Sequence, residues 1–127
     1  MAEVVLDASA VLAALKGEPG AEAVEAVVGR ALLGAVNLAE VVGKLTDFGL
    51  DEVQAQSAVA ALGCEIVAFD ADLAVRTGLL RRLTHRQGLS LGDRACLALA
   101  EREGLEALTT DRAWSQLNVP IDIRVLR

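Results

Sequence analysis

The sequence predicts an α/β fold: one domain with a central, mainly parallel sheet of about five strands and helices on both faces. Three observations carry this. Short apolar runs alternate along the whole chain with stretches of helical periodicity, the pattern of strand–helix–strand units. The length of 127 residues holds one domain of ordinary size and leaves no room for a second. The apolar residues are small or branched: 23 Ala, 21 Leu and 15 Val stand against two Phe, one Trp and no Tyr, a set suited to helices packed closely on a sheet.

The elements follow in order. Residues 3–7 read as a buried strand closed by Asp7, and a short Ala/Leu/Val helix runs from there to about Lys16-Gly17. Pro19 opens a second helix whose apolar face carries Ala23, Val24, Val27 and Val28. Residues 31–36 form the second strand. Asn37 is the expected N-cap of a helix to about Phe48-Gly49, and 51–62 is another helix. Residues 65–69 are the third strand. Asp70 caps one long helix to about Gln87, and Ser90 caps the next, to about Glu103-Gly104. Residues 106–109 are the fourth strand, 111–117 a short helix and 122–125 the last strand. Right-handed crossovers put helices on both faces of such a sheet, and ligands bind at the carboxyl ends of its strands.

Composition excludes several classes. A charged fraction of 24% with 54% apolar residues is globular, not disordered. No run reaches about 18 uncharged apolar residues, so no membrane span is predicted, and the first seven residues predict no signal peptide. Cys64 and Cys96 are 32 positions apart, without a CxxC or a histidine at ligand spacing; they read as reduced thiols in a cytoplasmic protein, not as a zinc site or a disulfide. Twelve basic against 18 acidic residues give a net charge of −6, a poor balance for general nucleic-acid binding. No phosphate-binding glycine motif is present.

Four acids converge on the predicted carboxyl edge. Asp7 ends the first strand, Glu40 and Asp93 lie in first turns of helices, and Asp111 follows the fourth strand. Each has a structural reading: Asn37-x-x-Glu40 and Ser90-x-x-Asp93 have capping-box spacing, and Asp111 fits an N-cap. Asp7 resists that reading, because a buried carboxylate without a partner is costly and no Lys or Arg is near it in sequence. Together the four would repel one another unless they protonate or bind a cation. Oxygen ligands without His or Cys select Mg²⁺ or Mn²⁺ over Zn²⁺. Such an ion acidifies a bound water that can attack phosphorus, which predicts metal-dependent phosphodiester hydrolysis.

The stretches around these acids resemble the PIN-domain ribonucleases. Val4-Val5-Leu6-Asp7-Ala8-Ser9 is similar to the family's opening strand and D-x-S. Asn37-Leu38-Ala39-Glu40-Val41 resembles the second acidic motif, Gly88-Leu89-Ser90-Leu91-Gly92-Asp93 the third, and Leu108-Thr109-Thr110-Asp111-Arg112 the fourth. The ordered set spans essentially the whole chain, 1–127, and is most similar to the VapC-type toxins of toxin–antitoxin modules. That resemblance implies that Asp7, Glu40, Asp93 and Asp111 hold one or two Mg²⁺ or Mn²⁺ ions, with Ser9, Asn37 and Thr110 in support. It also implies an RNA substrate, a homodimer and a co-expressed antitoxin.

Other residues carry weaker expectations. Arg82 and Arg86 share a helix face, and Arg112 follows a proposed ligand; each is a candidate RNA contact, with a solvated surface as the alternative. His85 is the only histidine and has no nucleophile beside it, which excludes a Ser/His/Asp triad. Trp114 is expected in the core or at an interface. Residues 41–48 and 51–62 offer enough apolar surface to cover the sheet and present a groove. A second functional reading makes Asp7 the nucleophile of a haloacid-dehalogenase-like or other Mg²⁺-dependent phosphatase. Ser9 stands where that pattern has its second acid, and the only lysines are Lys16 and Lys44.

Overall fold

Val4, Val5 and Leu6 point alternately into two separate cores, because successive side chains of a strand face opposite sides of a sheet. They form β1 (Val4–Leu6), the central strand in a computed structural model that describes all 127 residues. The other strands are β2 (Ala31–Gly34), β3 (Glu65–Val67), β4 (Glu106–Thr109) and β5 (Ile123–Val125). Their order across the sheet is β3-β2-β1-β4-β5, and every neighbouring pair is parallel. The chain winds outward from β1 in one direction, then returns to start β4 on its other side. The topological switch point therefore lies between β1 and β4, where α/β sheets open their ligand crevice.

Helices cover both faces. One core gathers Val4, Leu6, Leu33 and Leu108 under α1 (Ala8–Lys16), α2 (Ala21–Glu25), α3 (Ala35–Asp47) and α4 (Glu52–Leu62). The other gathers Val5, Leu32 and Ala107 under α5 (Ala71–Leu79), α6 (Arg81–Thr84) and α7 (Leu91–Glu103), with Trp114 buried beside them. Residues Ala95 to Ala100 of α7 are buried without a break, since α7 packs against the sheet, α3 and α5 together. Trp114 thus belongs to the core; its indole Nε1 has no hydrogen-bond partner. Cys96 is buried and Cys64 half-buried, and both are free thiols. No helix is long and apolar enough to cross a membrane.

Four expectations are corrected. Asn37 is not an N-cap: α3 starts two residues earlier, after Gly34, and Asn37 is buried within its first turn. The long helix from Asp70 breaks into α5, α6 and a 3-10 turn, His85–Gln87. Leu80 joins the first two pieces and buries its side chain, and Thr77 and Thr84 bond back to the carbonyls of Leu73 and Leu80, an arrangement that bends helices. The helix after Pro19 is only five residues long and ends before a 3-10 turn at Val28–Arg30. The segment after Asp111 is a 3-10 helix, Arg112–Gln116.

Candidate active site

Asp7 occupies the switch point itself. It is the residue after β1 and the N-cap of α1, and its Oδ1 accepts the Ala10 amide at 2.8 Å. Two hydroxyls complete its surroundings. Ser9 donates to Oδ1 at 2.7 Å and accepts the Thr110 amide at 3.0 Å. Thr109 donates to Oδ2 at 2.6 Å and accepts the Asp111 amide at 3.0 Å. Each hydroxyl thus passes a backbone N–H of the β4 end on to the carboxylate at the β1 end. No ion pair reaches Asp7, which is 3% exposed. Burial raises its carboxyl from 3.8 to about 6, against the lowering by Thr109, Ala10 and Ser9, and the charge of Asp93 adds to the rise.

Glu40 lies where α3 crosses α7. Asn37 donates from Nδ2 to Glu40 Oε1 at 3.0 Å and to the Gly92 carbonyl at 3.0 Å, tying the two helices together. The Asn37 Oδ1 is buried without a partner. The Glu40 carboxylate lies against the Cα of Gly92, in space that any Cβ there would fill. Burial raises its carboxyl, the Asn37 bond lowers it and the charge of Asp93 raises it. Burial holds the Cys96 thiol well above the ordinary range, so it stays protonated, and the charges of Asp7, Asp93 and Glu40 add to the rise. Asp93, in the first turn of α7, thus acts on both Asp7 and Glu40.

The remaining candidates divide. Asp93 forms a full capping box with Ser90: its amide donates to Ser90 Oγ at 3.1 Å, and its Oδ2 accepts the Ser90 amide at 3.0 Å. Asp111 is joined to Thr109 through its backbone amide, and its exposed carboxylate caps the next helix by accepting the Ala113 amide at 2.9 Å. Thr110 offers its amide to Ser9, and its hydroxyl accepts from Arg127 at 3.3 Å. Arg112 donates to the Arg127 carbonyl at 3.2 Å, while Arg82 and Arg86 lie on the exposed surface of the α6 segment. Sequence reasoning missed Thr109 and Gly92. A signal for each is present: a second hydroxyl in Thr109-Thr110-Asp111, and a glycine in a helical first turn, where it lowers helix propensity.

The donor set fits a hard divalent cation: carboxylates only, none paired with Lys or Arg, and the one nearby thiol protonated. As they stand, no three acid, His or Cys side chains are grouped to hold an ion. The reason is visible: Glu40, Asp93 and Asp111 are each engaged by a local amide or amide side chain. The phosphatase alternative finds no support here. No Lys or Arg pairs with Asp7, and Lys16 is committed to Glu18 at 3.4 Å and to the Phe48 ring.

Comparison with known proteins decides the family. The family model described as PIN domain matches residues 4–120. The chain belongs to the PIN domain family. Among curated proteins no sequence matches. Solved PIN-like structures share the fold at low identity. A toxin–antitoxin complex from Klebsiella pneumoniae aligns at 22% identity over 98% of both chains, TM-score 0.77. DNA-bound VapBC from Salmonella typhimurium aligns at 19% over the whole of both chains, TM-score 0.75. VapC20 of Mycobacterium tuberculosis, a sarcin–ricin loop cleaving toxin, aligns at 19% over 90% of this chain and 94% of its own, TM-score 0.71. In this PIN domain, the four acidic motifs all lie within the matched residues.

Proposed function

We propose that the chain is a divalent-metal-dependent endoribonuclease, the toxin of a toxin–antitoxin pair acting in the cytoplasm. The observation that carries the reading is a buried carboxylate at the sheet's switch point that feels the charge of Asp93 and pairs with no cation. Asp7, Glu40, Asp93 and Asp111 would hold Mg²⁺ or Mn²⁺. The ion, when bound, supplies an acidified water and a positive field for the scissile phosphate. The chain's own residues do the rest. Ser9 and Thr109 fix both Asp7 oxygens. Asn37 holds Glu40 and, through Gly92, the start of α7. Burial keeps the proton affinity of Asp7 high enough that a cation and a proton compete for it near pH 6. No side chain at the site is free to act as a general base, so the attacking water would give up its proton to bulk solvent.

An antitoxin partner and a second copy of the chain belong to the same reading. The solved relatives include a toxin–antitoxin complex and DNA-bound VapBC, and the chain leaves apolar surface exposed at Val75, Leu79 and Leu83 and in a groove of about 700 Å³ between α3 and α4. The test is direct. Purified protein is incubated with total RNA in Mg²⁺, in Mn²⁺ and in EDTA, beside Asp7→Asn. We expect cuts at discrete positions that need the ion and vanish in the variant. Equal cleavage by the variant would place the site elsewhere, and trapping of phosphate on Asp7 would restore the phosphatase reading.

A further inference from the structure

The arginines of this chain fall into two populations. Arg30, Arg76, Arg102 and Arg124 all pair with carboxylates. The other six form no ion pair, although the chain holds 18 acids: Arg94, Arg112 and Arg127 hydrogen-bond to Thr77, Arg127 and Thr110, while Arg81, Arg82 and Arg86 have no partner in the chain. Three of the unpaired group are packed into six positions, 81–86, together with the only histidine. Arg82, His85 and Arg86 line a cavity of about 270 Å³ that Gln87 and Asn118 complete, with Leu83 its one apolar wall.

The position of this cavity matters. Its His85–Gln87 turn packs on the Arg112–Gln116 helix, whose N-cap is Asp111. The same turn runs through Gly88 and Leu89 into Ser90, the cap that bonds Asp93. The basic cavity is therefore built on the two segments that carry Asp93 and Asp111. In a chain of net charge −6, cations left unpaired beside a cluster of acids mark where an anion is received. Two guanidiniums with an amide and an imidazole offer several N–H donors in a space the size of one phosphate and its sugar, the donor chemistry that grips a nucleic-acid backbone.

Resting on the proposed nuclease activity, we propose that the Arg82–His85–Arg86–Asn118 cavity binds a backbone phosphate of the RNA strand next to the cleaved bond. It supplies the attraction that the acidic surface around it withholds.

The experiment separates binding from cutting. A fluorescein-labelled single-stranded RNA of 12 nucleotides is titrated with protein in EDTA at several salt concentrations, and cleavage of a longer RNA is followed in Mg²⁺. Arg82→Ala/Arg86→Ala should weaken binding about tenfold and lower the slope of log affinity against log salt by about 0.7 for each phosphate that is no longer neutralised. In cleavage its KM should rise more than its kcat falls. Arg82→Lys/Arg86→Lys should keep most of the affinity, and Arg30→Ala, which removes a charge distant from the cavity, should match wild type. Binding by the double alanine variant within twofold of wild type overturns the subsite, as does an equal weakening in Arg30→Ala, which would show only a net-charge effect. If that happens while wild type still cuts RNA, the nuclease reading survives. If wild type neither binds nor cuts, both readings fall.

Discussion

Gly92→Ala should uncouple the site from the stability of the fold. The new methyl group would occupy the space of the Glu40 carboxylate, touching its carbon and both oxygens. That carboxylate is the far end of a flexible, half-buried side chain, so Glu40 can turn away while the backbone stays. Turning costs the Asn37 Nδ2–Glu40 Oε1 bond of 3.0 Å, worth about 1 kcal/mol net. Replacing glycine by alanine within a helix returns up to about 1 kcal/mol. The two effects nearly cancel, and the melting temperature should move by no more than about 5 °C. Glu40 meanwhile leaves the acids near Cys96, and Mn²⁺ affinity and RNA cleavage should fall roughly 10–100-fold, the usual effect of misplacing a metal ligand's support. Thermal melts, calorimetric Mn²⁺ titration and a cleavage assay read the three quantities. Placing Gly92→Ala in a Glu40→Ala background closes a double-mutant cycle: there the alanine should be stabilising, because nothing opposes its helix propensity. Wild-type cleavage by Gly92→Ala, or a melting temperature more than about 10 °C lower, would refute the reasoning.

Asp7→Asn should abolish cleavage and stabilise the metal-free protein at pH 7. The Asp7 carboxyl is raised from 3.8 to about 6 in the folded chain, so the folded state holds its proton more tightly. Stability from this group is then lost as pH rises from about 4 to about 6, by roughly 3 kcal/mol for a shift near two units. Melts in EDTA across that range should slope downward in wild type relative to the variant; parallel curves would contradict the shift. Because a cation must displace that proton, Mn²⁺ affinity should weaken about tenfold per pH unit below about 6, and a pH-independent affinity would place the ion away from Asp7. Thr109→Val removes the donor to Asp7 Oδ2 and the acceptor of the Asp111 amide, and should cost about 2–3 kcal/mol in denaturant unfolding, whereas Thr109→Ser should retain most of it. Trp114→Ala should cost about 3–5 kcal/mol, since it empties the largest fully buried side chain of the second core.

Much of this is legible along the chain because it is local. Apolar runs bounded by turn residues place all five strands, and the caps Asp70 and Ser90 stand where side-chain oxygens meet orphan amides. The four acidic motifs are likewise visible, since each sits at a strand end or helix start. Where local signals compete, the sequence misleads. Asn37 has the chemistry of an N-cap, yet burial against α7 gives its amide two better partners, and the backbone starts the helix earlier at Gly34. The break at Leu80 accompanies the back-bonds of Thr77 and Thr84 to the carbonyls of Leu73 and Leu80, which helix periodicity does not record.

By itself the sequence determined the α/β fold, the order of its elements and which acids reach the carboxyl edge, because periodicity and capping act within a few residues. Only the tertiary structure decided which groups surround those acids. Thr109 reaches Asp7 across 102 positions and Gly92 makes room for Glu40 across 52, because β1 lies beside β4 and α3 crosses α7. The raised proton affinity of Asp7 has the same origin: it comes from burial and from the charge of Asp93, both of which exist only once the chain has closed around them.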